Sequence, residues 1–178
     1  MKTFYNFGNS RFFWIFGAIY LLLMESIALY FQYILDMEPC ALCVQIRAWV
    51  MGAMILSIFT SLVCTRFIGR WIGLTLTTAL LSGGLYTSWY SWKVEKGEII
   101  SGCSINAGFP GFMPLDDWIP SLFSAQGMCG QSPDMWFGLS MNEGLIISLV
   151  IPLIVLLSLW LLHFKEMILS LKTKLKKV

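Results

Sequence analysis

Five cysteines stand in the 178 residues, at positions 40, 43, 64, 103 and 129. Cys40-Ala41-Leu42-Cys43 is a C-x-x-C directly behind Pro39. On a helix, i, i+3 spacing sets both sulfurs on one face, close enough to bridge. A helix N-terminus stabilises a thiolate, and C-x-x-C pairs commonly show a lowered thiol pKa. Arg47 stands one turn beyond Cys43 on that face. A fixed positive charge there favours a thiolate, or the anion of a bound electron acceptor. Residue types and spacing together point to thiol–disulfide chemistry.

Cys103 and Cys129 form a second, widely spaced pair. Alone they read as a disulfide stapling a loop, worth about 3–4 kcal/mol by chain entropy. Beside a C-x-x-C they also suit a relay, because exchange can pass oxidising equivalents between such pairs. A four-cysteine zinc site would repeat the close C-x₂₋₄-C spacing, which Cys103 and Cys129 do not, so no metal is expected. Cys64 is expected to be a free, small apolar residue.

These residues are carried by elements that must lie in a membrane. The chain is 57% hydrophobic and 12% charged, with 8 Trp, 13 Phe and 10 Met. Soluble domains carry about 25% charged residues, and no water-soluble core of this size hides so much apolar surface. Disorder and low-complexity classes are excluded by the same composition. A net charge of +2 gives no case for nucleic acid. A spanning helix needs about 20 mostly apolar residues, and four stretches qualify: 12–35, 41–64, 71–92 and 145–164. The first run is too long for a signal-peptide core and lacks a small-residue cleavage site, so it reads as an uncleaved span.

Lys and Arg set the orientation. Lys2, Arg11, Arg66, Arg70, Lys165, Lys172, Lys174, Lys176 and Lys177 fall on one side, nine of the twelve basic residues. The sequence therefore predicts an all-α membrane protein, a four-transmembrane-helix bundle with both termini cytoplasmic. It forms a single integral domain over 1–178, with outer loops at about 36–40 and 93–144. That topology puts Cys40, Cys43, Cys103 and Cys129 on the oxidising side, where disulfides persist, and Cys64 on the reducing side. Apolar surroundings at the inner pair suit a lipid-soluble acceptor. Arg47 is then intramembrane, at a cost of roughly 2.5–3.5 kcal/mol on insertion scales, and such residues are functional by default. Glu25 falls near mid-membrane and is read as structural ahead of proton-handling. Leu115, Trp118, Ile119, Leu122 and Phe123 recur at helical spacing and are expected along the membrane interface, with Pro120 limiting regularity. His163 is expected at the cytoplasmic interface, and Lys172–Lys177 as an orientation signal with affinity for anionic lipid.

From about Phe12 to Phe164 the chain resembles the DsbB family of inner-membrane disulfide-forming proteins. The resemblance rests on the four spans, on Pro39-Cys40-Ala41-Leu42-Cys43 with Arg47, and on Cys103 and Cys129 in the second outer loop. Met113-Pro114-Leu115-Asp116-Asp117-Trp118-Ile119-Pro120 is similar to the family's P-L-D-x-W-x-P segment, and Trp136-Phe137-Gly138-Leu139-Ser140-Met141 to its approach to the last span. Glu25 sits where members often carry a glutamate. The resemblance implies a quinone-dependent thiol–disulfide oxidoreductase of the bacterial inner membrane, with its active cysteines facing the periplasm. Cys103–Cys129 would oxidise a DsbA-type thioredoxin-fold partner, and Cys40–Cys43 would reoxidise that pair. Cys43 would face the quinone, ubiquinone or menaquinone, with Arg47 supporting its ring, and electrons would pass onward to the respiratory chain.

Asn142 and Gly144 stand where the family commonly has Pro and Trp, and Val44-Gln45-Ile46 departs from the usual order, which could shift quinone contacts. With His163 as the only histidine, none serves the outer site. A four-span scaffold with a structurally bonded outer loop is the alternative from another class. It needs no C-x-x-C on the short loop, and the Cys-Cys-Gly of tetraspanins is absent. A quinone reductase like vitamin K epoxide reductase shares the chemistry but carries its C-x-x-C in a late span.

The orientation is directly testable. Alkaline phosphatase fused after Val178 should be inactive and fused near Gly108 active. The reverse pattern would overturn the sorting of cysteines by compartment.

Overall fold

The computed structural model describes residues 8, 10–99, 107–127 and 138–175, with side chains as far as 168. Within these, four long helices and two single turns occur in chain order: α1 (Arg11–Tyr33), α2 (Ala41–Val63), α3 (Phe67–Glu95), α4 (Leu115–Trp118), α5 (Pro120–Phe123) and α6 (Met141–Leu175). The described residues form no β-sheet.

Local chemistry explains the boundaries. Ser10 caps α1, its Oγ accepting from Phe13 N–H at 3.3 Å. Cys40 caps α2, its Sγ accepting from Cys43 N–H at 3.4 Å. At the end of α3, Gly97 has φ +74°; its N–H bonds Val94 O while Glu98 N–H bonds Lys93 O. That paired arrangement satisfies the last carbonyls and needs a residue free of a Cβ penalty. Ser140 and Glu143 open α6 reciprocally: Glu143 N–H reaches Ser140 Oγ at 3.3 Å, and Ser140 N–H reaches Glu143 Oε2 at 3.2 Å.

The main packing pairs are α1 with α2, α2 with α3, and α3 with α6. A core of Trp14, Leu21, Ile46, Val50, Ala53, Leu74, Leu81, Leu149 and Leu159 runs through all four. The helices turn further apolar side chains outward, among them Phe16, Leu23, Ile27, Phe59, Leu62, Ile151 and Ile154. An apolar exterior on that scale suits lipid. Among the described residues, three helices are long and apolar enough to cross a membrane: Arg11–Tyr33, Ala41–Val63 and Met141–Ile168. At 29 residues, α3 reaches about 43 Å at 1.5 Å per residue. It is the least apolar of the four, because its buried face carries Gly73, Thr77, Gly84, Thr87, Ser88 and Ser91. The hydroxyls of Thr87 and Ser88 return to the carbonyls of Gly83 and Gly84, and small residues let helices approach closely.

Pro152 lies inside α6 and removes the N–H that would serve Ser148 O. Tyr20 of α1 donates its hydroxyl to that carbonyl at 2.8 Å. The helix defect is thereby turned into a tie between α1 and α6.

The segment expected at the interface divides. Ile119, at φ −138° and ψ 71°, breaks the helix ahead of Pro120. Trp118 and Ile119 point outward, but Phe123 is 1% exposed and packs with Val44 and Ala107, joined by Leu115 and Leu122. Docking against α2 competes with the membrane surface for these side chains. His163 also departs from expectation: it is fully buried, its ring 6.4 Å from that of Trp71. Cys64 is buried at the same end, with Sγ 3.3 Å from Ser61 O.

Gly73 marks a close approach of α2 and α3, since a β-carbon there would overlap the buried Thr60 side chain. Gly73→Val should lower stability by about 1–3 kcal/mol, as overpacking does. Thermal unfolding in detergent should show a lower midpoint, and an unchanged one would mean the two helices separate freely.

Candidate functional site

The site begins at the break between α1 and α2. Asp36, at φ +49°, turns the chain, and Pro39 leads into Cys40. The two sulfurs of Cys40 and Cys43 stand 3.0 Å apart. The hydrogen bond shared with Cys43 is the largest influence on Cys40 and holds its thiol down at about 6, ahead of the opposing effect of burial and the further help of backbone N–H groups. This direction favours Cys40 as the thiolate of the pair.

One turn deeper, Arg47 is 6% exposed. Its Nη1 donates to Gln32 Oε1 and to Leu122 O, each at 2.7 Å, and its Nε lies 3.6 Å from Glu25 Oε2. Glu25 and Gln32 are seven residues apart on α1, hence on one face. Arg47 thus joins α1, α2 and the outer segment. Its bonds go to oxygen, and neither sulfur receives one.

Glu25, Gln32, Cys40, Cys43, Arg47, Ser91 and Asn142 line one cavity with the apolar walls Met24, Phe31, Ile46, Val50 and Leu145. Asn142 closes one side: it accepts from Ser91 Oγ at 3.2 Å and donates to Glu95 Oε2 at 3.0 Å. The substitution at 142 noted in the sequence therefore lands in the cavity wall. Gln45 does not reach the cavity. Its Nε2 donates to Ala107 O at 2.7 Å and pins the outer segment instead.

The outer segment is held over the dithiol. Gln126 and Gly127 donate their N–H groups to Pro39 O at 3.0 and 3.1 Å, and Gly127 pairs with Cys40 in a parallel bridge. A β-carbon on Gly127 would overlap Glu38 O. Tyr33 hydroxyl and Gln32 Nε2 both donate to Ser121 O. Of the residues the sequence singled out, Cys40, Cys43, Arg47 and Glu25 come together. Cys64 and His163 lie at the far end, and Cys103 and Cys129 fall outside the described residues. Gln32, Tyr33 and Ser91 were not found by sequence reasoning, and Gln45, noted there for its bearing on quinone contacts, holds the outer segment instead. Only Gln32 carried a usable signal, a polar side chain seven residues from Glu25 in an apolar run. The described residues contain no cluster of metal-ligating side chains.

A family model described as "Disulfide bond formation protein DsbB" matches residues 10–161. Disulfide bond formation protein B of Shewanella denitrificans is 32% identical over 151 residues, covering 84% of this chain and 86% of the relative. Disulfide bond formation protein B 2 of Pseudomonas aeruginosa is 34% identical over 151 residues, covering 83% and 89%. The Haemophilus influenzae protein of the same description is 32% identical over 152 residues, covering 85% and 86%.

The shared hydrogen bond makes a pH prediction. In the reduced chain, alkylation of Cys40 should reach half its maximal rate near pH 6. Cys43→Ala should move that midpoint up toward about 8.5, the value of a free thiol. A midpoint already that high in the unaltered chain would show that Cys43 does not stabilise the Cys40 thiolate.

Proposed function

This chain belongs to the DsbB family of disulfide-forming membrane thiol–disulfide oxidoreductases, and we propose that it reoxidises a DsbA-type periplasmic thioredoxin-fold protein at the expense of membrane quinone. Family membership removes the four-span scaffold alternative. The reading takes α3 as the fourth span and the chain as one domain of the bacterial inner membrane. Both termini are then cytoplasmic, and the dithiol faces the periplasm. The observation that carries the reading is the pairing of Gly127 with Cys40, above two sulfurs 3.0 Å apart that open into the cavity of Arg47.

Electrons move inward along this arrangement. Cys103 and Cys129 take them from the partner's dithiol and return to the disulfide by reducing Cys40–Cys43. Gly127, two positions before Cys129 in the chain, pairs with Cys40, which favours Cys40 as the sulfur that exchanges with the outer pair. A thiol of lowered pKa is a good leaving group, which suits Cys40 to being displaced again as the exchange completes. Cys43 then stands on the cavity side, one turn from Arg47.

The chemistry of the cavity suits a quinone head group. Its walls are mainly apolar, and Arg47 supplies a planar, permanently charged donor. A bound quinone supplies the two-electron acceptor. Arg47 would orient a ring oxygen and favour negative charge near Cys43 in a setting of low dielectric. Met24, Ile46 and Val50 keep water away.

Arg47 serves both the cavity and the outer segment, and two assays separate these duties. Arg47→Met should reduce quinone-linked turnover about 100-fold, the scale of losing a preorganised charge donor. Single-turnover exchange with the partner, run without quinone, should slow only a few-fold, because Gln32, Tyr33 and Pro39 still hold the segment. Arg47→Lys should fall between, keeping the charge and losing the fork. Equal losses in both assays would reduce Arg47 to a prop for α2.

A further inference from the structure

Reading the cavity as a quinone site leaves one buried group without a task. Glu25 is 5% exposed and lines the cavity that holds Cys40, Cys43 and Arg47. Its Oε2 lies 3.6 Å from Arg47 Nε and takes no hydrogen bond. A carboxylate has about four acceptor sites, and burying one with a single distant partner is costly. Arg47 supplies counter-charge but spends its short hydrogen bonds on Gln32 and Leu122. Glu25 is thus a buried acidic group with an open Oε2, in the same cavity as Cys40 and Cys43.

We propose that Glu25 is a proton carrier for quinone reduction, taking a proton from the dithiol and delivering it to a quinone oxygen. This rests on the quinone reading of the cavity. Closing the Cys40–Cys43 bond removes two electrons from the sulfurs, and converting quinone to quinol consumes two electrons and two protons. One proton leaves Cys43 as its S–H bond breaks, binds the Glu25 carboxylate, and is passed on as the quinol O–H bond forms. Cys40 has already given its proton to the outer aqueous phase, and the second quinol proton returns from there. Glu25 begins and ends ionised, and Arg47 keeps its charge throughout. Of the other ionisable groups near the cavity, Tyr33 and Glu38 are exposed and exchange with water directly, while Glu95 stands behind Asn142 and already accepts from Ser140 and Asn142, so none replaces a buried carrier.

The test uses the full-length chain in lipid nanodiscs with ubiquinone. Rapid-mixing infrared spectroscopy of the reduced wild type should show a protonated-carboxyl absorption that rises and decays with quinone reduction. It should shift when glutamate is carbon-13 labelled and vanish in Glu25→Gln. In steady state, Glu25→Gln should lower kcat about 100-fold, the lower end of general acid–base effects. Its KM for quinone should stay within about three-fold, since binding is not what is lost. Glu25→Asp should recover part of kcat. Undiminished kcat in Glu25→Gln, or a loss confined to KM, would overturn the proposal and leave Glu25 as a counter-ion. Absence of the labelled carboxyl signal in the wild type would overturn it too, and that measurement holds even if the variant does not accumulate. A wild-type chain that reduces no quinone would instead remove the underlying reading of the cavity.

Discussion

A guanidinium inside a membrane-embedded bundle must be compensated where it stands. Removing such an ion from water costs several kcal/mol even after relaxation, and Arg47 is almost fully buried. Its compensation comes from Glu25 and Gln32 on α1 and from the carbonyl of Leu122 in α5. Those partners belong to separate elements, so the bonds that make the charge tolerable also fix how α1, α2 and the outer segment meet. The cavity beside the dithiol is the space that this convergence encloses.

The dithiol depends on a second local constraint. Cys40 is the capping residue of α2, so one sulfur both terminates the helix and faces its partner a turn later. The Pro39 carbonyl just before it is taken by Gln126 and Gly127. Helix start, redox pair and loop attachment are therefore built from five consecutive residues, 39–43. Changing the geometry of any one would be felt by the other two.

Much of this was legible because it is local. A C-x-x-C behind a proline and an arginine one turn on are fixed by helical spacing, and α2 begins at Ala41 as read from the sequence. The capping pair Ser140 and Glu143 was equally readable as S-x-x-E, yet hydropathy alone placed that helix start at 145. What could not be read was long-range pairing to main-chain atoms. Gln45 meets Ala107 across 62 positions, and Gln32 meets Ser121 across 89, with no periodicity to announce either. Phe123 misled for a related reason. An apolar side chain beside a membrane has two ways to leave water, and its contact with Phe109, Ala107 and Val44 decided between them.

Among the described residues, the bonds that tie 107–127 to the helices and to Pro39 use main-chain atoms on the segment's own side. Ala107, Ser121 and Leu122 offer carbonyls, and Gln126 and Gly127 offer N–H groups. Attachment is thus largely indifferent to which side chains the segment displays. Exposed positions such as Phe112 and Trp118 can therefore change under selection while the segment keeps its mooring. The surface it displays and the joint that holds it are free to evolve separately.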